Sequence, residues 1–97
     1  MSGEAPPELE RRRVVFHGRV QGVFFRATAF ELSRDFDVTG YARNLPDGTV
    51  EMETQGPPDQ IDGLLSAVRR HYERNITDVA STEIPVRENE SAFEIRY

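Results

Sequence analysis

Gly18 and Gly22 stand four residues apart in GRVQGVFFR, Gly18 to Arg26, between a β-branched and aromatic run and an apolar helical repeat. A loop so placed can turn several backbone N–H groups toward one point, and such a concavity binds anions. Arg26 follows in the first helical turn, where the positive end of the helix dipole disfavours a cation unless an anion lies between them. A phosphate removes that conflict. A second stretch, YARNLPDG from Tyr41 to Gly48, ends a strand on Asn44, whose amide offers both a donor and an acceptor and does not titrate. Read alone, each of these residues has a plainer use: the glycines as turn residues, Arg26 as a solvated helix arginine, and Asn44 as the initiator of the turn Leu45-Pro46-Asp47-Gly48.

The elements that must hold these groups follow from periodicity. Arg11 to His17 is a strand, with Val14, Val15 and Phe16 favouring extended backbone and Gly18 stopping it. Phe25, Ala29, Leu32 and Phe36 recur on one face of a helix of about three turns. Val38 to Asn44 is the second strand. In the third, Val50, Met52 and Thr54 alternate with Glu51, Glu53 and Gln55, which predicts one buried and one solvated face. Pro57 and Pro58 open a second helix with Asp59 in its first turn, Arg69, Arg70, His71 and Arg74 near its end, and Ile61, Leu64, Leu65, Val68 and Tyr72 as its buried stripe. Gly63 inside it costs about 1 kcal/mol relative to alanine, and Asn75 is a helix stop. Val79 to Val86 and Phe93 to Tyr97 read as strands, the last with Phe93, Ile95 and Tyr97 on one face. The order β-α-β-β-α-β plus a final strand predicts a ferredoxin-like α/β (α+β) sandwich, with two helices on one face of an antiparallel sheet.

A chain of 97 residues builds one hydrophobic core, here over residues 11–97, with Met1 to Glu10 expected as a disordered tail. With no cysteine, disulfides, thiolate zinc sites and cysteine nucleophiles are excluded. No segment has the apolar length of a membrane span and none resembles a signal peptide, so a soluble cytoplasmic protein is expected. All twelve basic residues are arginine and the net charge is −5. Arg11 to Arg26 carries five arginines and no acid, whereas Ala27 to Tyr97 carries seven arginines against fourteen acids. A small anion is drawn to the first region, and a nucleic-acid backbone is repelled by the rest. Absence of lysine fits either a GC-rich genome or a surface adapted to high salt, and composition leaves both open.

GRVQGVFFR and GYARNLPDGTVEMETQG, Gly40 to Gly56, together resemble the two motifs of the acylphosphatases, small hydrolases of carboxyl-phosphate anhydrides, and the similarity extends over roughly residues 11 to 97. Two spaced motifs in the right order are far more specific than a glycine pattern alone. The resemblance implies a metal-independent, cofactor-free, monomeric enzyme that converts an acyl phosphate and water to a carboxylate and inorganic phosphate. It assigns Arg26 and Asn44 as catalytic, Arg26 gripping phosphate and Asn44 holding the attacking water. The backbone amides of Gly18, Arg19, Val20, Gln21, Gly22, Val23 and Phe24 are assigned to phosphoryl oxygens. Proton removal is assigned to the substrate's own phosphate oxygen, in keeping with the lack of an obvious general base.

Other candidates read as structural. The Arg19 side chain is expected in solvent, Arg43 on the opposite side of its strand from Asn44, and His17 packed or solvated rather than acting as a base. Glu51 and Glu53 are expected as solvated charges rather than a catalytic pair, and two distant histidines make a metal site improbable. One rival is a non-catalytic phosphate- or carbamoyl-phosphate-binding module, such as the domain that begins larger hydrogenase maturation proteins; a chain closing at Tyr97 is expected to be the stand-alone enzyme instead. An RNA-binding domain of the same fold needs outward aromatics on its central strands and a basic surface, and neither is present.

Overall fold

The computed structural model describes residues 8–97, so the expectation of a disordered tail falls largely outside the described residues; Glu10 already belongs to the first strand. The elements are β1 (Glu10–Gly18), α1 (Phe25–Ser33), β2 (Thr39–Asn44), β3 (Val50–Gly56), α2 (Pro58–His71), β4 (Ile76–Ile84) and β5 (Phe93–Arg96). This is the ferredoxin-like α+β sandwich. Phe25 and Ala29 of α1 and Ile61, Leu64 and Val68 of α2 are buried, and Val14, Phe16, Ala42, Val50 and Met52 supply the sheet's share of the core. α1 ends earlier than its apolar repeat, because the N–H groups of Arg34, Asp35 and Phe36 switch to i−3 carbonyls. Phe36 thereby leaves the helix, and its ring reaches α2 at Gly63, where an added Cβ would stand 2.4 Å from Cε1. The glycine's propensity cost is thus the condition for close contact.

The strand order is β4-β1-β3-β2-β5. β1 and β2 flank β3, both antiparallel to it, and Phe16 and Asn44 both lie opposite Val50. The C-terminal ends of β1 and β2 therefore emerge at the same end of the sheet. The sheet is mixed rather than antiparallel, since β5 pairs in parallel with β2. The chain leaves β4, which runs opposite to β2, and reverses on its way to the far edge, so β5 arrives aligned with β2. β4 begins earlier than Val79, because its pairing with β1 continues to Gly18 opposite Ile76. It stops before Pro85, whose nitrogen has no proton to donate to a ladder.

The face of β3 that alternation assigns to solvent is covered. Glu51 is 2% exposed and binds Arg13 of β1 at 2.6 Å and Arg43 of β2 at 2.7 Å, while the Tyr41 hydroxyl reaches both Glu51 and Glu53. Arg11, 1% exposed, is held by Glu53, Gln55 and Glu90. A central strand has neighbours on both sides, and their long side chains fold across it. The run of five arginines is not a free cationic region: Arg12 pairs with Glu10 and Asp62, and Arg11 and Arg13 with the carboxylates above. Among the described residues, only Arg19 and Arg26 of that run are without a carboxylate partner.

Candidate active site

The loop between β1 and α1 is fixed at its start, middle and end. At the start, the Arg19 N–H donates to the Asn75 carbonyl at 2.9 Å and the Asn75 side-chain amide returns a bond to the Arg19 carbonyl at 3.1 Å. In the middle, the Gln21 amide donates to the carbonyls of Leu45 and Thr49, each at 2.8 Å, joining the loop to the β2–β3 turn. At the end, the buried Tyr72 hydroxyl donates to the Val23 carbonyl at 2.8 Å and shares a 2.9 Å hydrogen bond with the Thr28 hydroxyl. The Val20 side chain is wholly buried and anchors the loop to the core.

Gly18 and Gly22 take φ of 115° and 76°, in the region that suits glycine, and at Gly18 a Cβ would also lie 2.2 Å from the Asn75 carbonyl oxygen. Inside the loop, the N–H groups of Val20, Gln21, Gly22, Val23 and Phe24 are left without a backbone partner among the described residues. At the start of the stretch assigned from Gly18, the Arg19 N–H is occupied by Asn75 and Gly18 belongs to β1. α1 begins with no side-chain cap and no acid in its first turn, which leaves its positive end uncompensated.

Arg26 leans over this opening. One guanidinium nitrogen, Nη1, donates to the Arg96 carbonyl at 2.7 Å, and the Tyr97 ring stacks on the guanidinium at 4.7 Å. One of its five N–H donors is thus fixed, which orients the rest. Asn44, exposed at the end of β2, makes no side-chain hydrogen bond among the described residues. Val20, Gly22, Arg26, Asn44 and Tyr97 line a single cleft of about 300 Å³. Arg19 is exposed, and Arg43 is turned to Glu51, opposite in direction to Asn44. His17 lines no part of the cleft.

From residue 12 to residue 95 the chain matches the acylphosphatase family model. It belongs to the acylphosphatase family. The chain is 40% identical over 88 residues to the acylphosphatase of Haloarcula marismortui, covering 90% of this chain and 96% of that one. It is 36% identical over 86 residues to the acylphosphatase of Marinobacter nauticus, covering 88% and 94%. The crystal structure of acylphosphatase from Bacillus subtilis superimposes with a TM-score of 0.80 at 29% identity, over 93% of this chain and 100% of that one. The activity that accompanies this membership is hydrolysis of acyl phosphates.

Two side chains that support the candidate site are not evident from the sequence. Tyr72 reads as one more apolar position on α2, and Asn75 as a helix stop; both hold the loop. Neither role leaves a local signal. Tyr97, by contrast, shares a strand face with Phe93 and Ile95 by alternation, yet β5 ends at Arg96 and Tyr97 is 99% exposed at the cleft.

Proposed function

We propose that acyl phosphate hydrolysis proceeds without a metal, with Arg26 and the amides of Val20 to Phe24 holding the phosphoryl group and Asn44 orienting water. The observation that carries this is the convergence of Arg26, Gly22 and Asn44 on one cleft. Water oxygen attacks phosphorus as the bond from phosphorus to the acyl oxygen breaks, its electron pair leaving with the carboxylate. The water's proton passes to a phosphoryl oxygen. A carboxylate is a good leaving group, so positioning and charge balance are the main demands on the protein. A guanidinium supplies two parallel hydrogen bonds to phosphate, and a neutral amide aims water without titrating.

The test is hydrolysis of benzoyl phosphate with excess chelator, comparing the native protein with Asn44→Ala. Turnover that survives chelation and falls about a hundredfold in the variant supports the proposal. Turnover lost to the chelator, or unchanged in Asn44→Ala, overturns it.

A further inference from the structure

Four large apolar side chains stand exposed among the described residues, and two of them, Phe24 and Tyr97, border the cleft that holds Arg26 and Asn44. Phe24 is 84% exposed and Tyr97 99%. Half-buried Ile95 adds a third apolar surface to the same lining. Phosphate capture calls for none of these. It calls for amides and a guanidinium, and both are already present.

The backbone at Phe24 sharpens the point. This residue caps α1 in the left-handed conformation, φ 61° and ψ 27°, which bulky side chains rarely adopt. Asparagine or glycine would take it at lower cost. Phe24 nevertheless occupies it, with its ring in solvent rather than in the core. The ring of Tyr97 is held from below by the Arg26 guanidinium at 4.7 Å. Two aromatic side chains therefore line the same cleft in which the phosphoryl group is proposed to sit. A cleft of about 300 Å³, compared with about 30 Å³ for one water, has room beyond a phosphoryl group.

We propose that Phe24 and Tyr97, with Ile95, form an acyl-binding surface that selects acyl phosphates with an apolar, especially aromatic, acyl group over acetyl phosphate. This rests on the phosphoryl-binding role proposed for the adjoining loop and Arg26. Apolar rings gain from covering each other's exposed area and from stacked or edge-on geometry, and an acetyl group offers little of either. Selection is then expressed as a ratio of kcat/KM values between acyl groups.

The experiment measures kcat/KM for benzoyl phosphate and acetyl phosphate with the native protein, Phe24→Asn, Tyr97→Ser and Val86→Ser. Asparagine is chosen because it tolerates the left-handed backbone, and circular dichroism checks folding of each variant. The benzoyl-to-acetyl ratio should fall about fivefold in each of the first two variants, mainly through the KM for benzoyl phosphate. It should hold in Val86→Ser, which removes an exposed apolar side chain outside the cleft lining. A ratio unchanged in both aromatic variants overturns the proposal, as does an equal loss on the two substrates, which would mark Phe24 and Tyr97 as supports for the loop and Arg26. Asn44→Ala serves as the separate control: it should lower both substrates by one factor, and full turnover in it would refute the water-positioning role whatever the ratio does.

Discussion

The roles proposed for Arg26 and Asn44 belong to different stages of the same reaction, and their substitutions should differ accordingly. In the proposed role Arg26 meets phosphoryl oxygens in both the bound substrate and the transition state, so Arg26→Lys should raise KM and lower kcat together, reducing kcat/KM about a hundredfold. Retained charge will not rescue it, because an ammonium cannot reproduce the planar fork that Arg96 and Tyr97 orient. Asn44, as the proposed holder of water, would matter chiefly when water attacks. Asn44→Ala should lower kcat with KM little changed, a loss of about 3 kcal/mol of transition-state stabilisation. Steady-state kinetics on benzoyl phosphate distinguishes the two patterns, and equal, small effects would contradict both roles.

The loop is only as well ordered as its three ties, two of which come from the end of α2 and the residues just after it. Tyr72→Phe keeps the ring that stacks on Phe25 at 4.7 Å and removes the hydroxyl bonded to Val23 and Thr28. It should cost about 1 kcal/mol of stability in urea unfolding, the scale of one net hydrogen bond. Its second effect should be functional: competitive inhibition by inorganic phosphate should weaken several-fold, because the amides no longer converge before the ligand arrives. A variant with normal phosphate inhibition would show that the tie at Val23 is dispensable. Gly18→Ala should be far more damaging, since the new methyl would meet the Asn75 carbonyl at a backbone angle already unfavourable to it.

For the molecule as a whole, the covered outer face of the sheet sets the response to acid. Burial pushes the Glu51 carboxyl up, but hydrogen bonds from Arg13, Arg43 and Tyr41 outweigh it, so the group lies below its ordinary value. Glu90 behaves likewise: burial raises it, and bonds from Arg11 and Thr39 bring it down. A carboxyl with a lowered folded-state pKa contributes stability that is complete above its unfolded value and lost as pH falls through the folded one. The advantage of the native protein over Glu51→Gln should thus be complete at neutral pH and shrink below about pH 4.3, as thermal melts across that range will show. A constant difference down to pH 2 would mean that Glu51 is not stabilised by its arginines. Phosphate should raise the melting temperature in proportion to the logarithm of its concentration above Kd, and Arg26→Lys should blunt the rise.

Local chemistry carried much of this protein in its sequence. β-Branched and aromatic runs mark the strands, three- and four-residue spacing marks both helices, and two glycine-containing motifs mark the family, because each is a property of neighbouring residues. Arg26, Asn44 and the loop were legible in that way. What pairs across the chain was not. Nothing local states that Phe16 and Asn44 share Val50 as their opposite number, the register that brings loop and amide to one end of the sheet. Nor does alternation along β3 disclose that arginines from β1 and β2 close over Glu51, turning an expected wet face into a buried ionic one. Tyr72, Asn75 and Tyr97 gain their places at the site only when α2 and β5 pack beside residues about 50 to 70 positions earlier. Periodicity records which way a side chain faces within its own element, whereas tertiary structure alone decides what it faces.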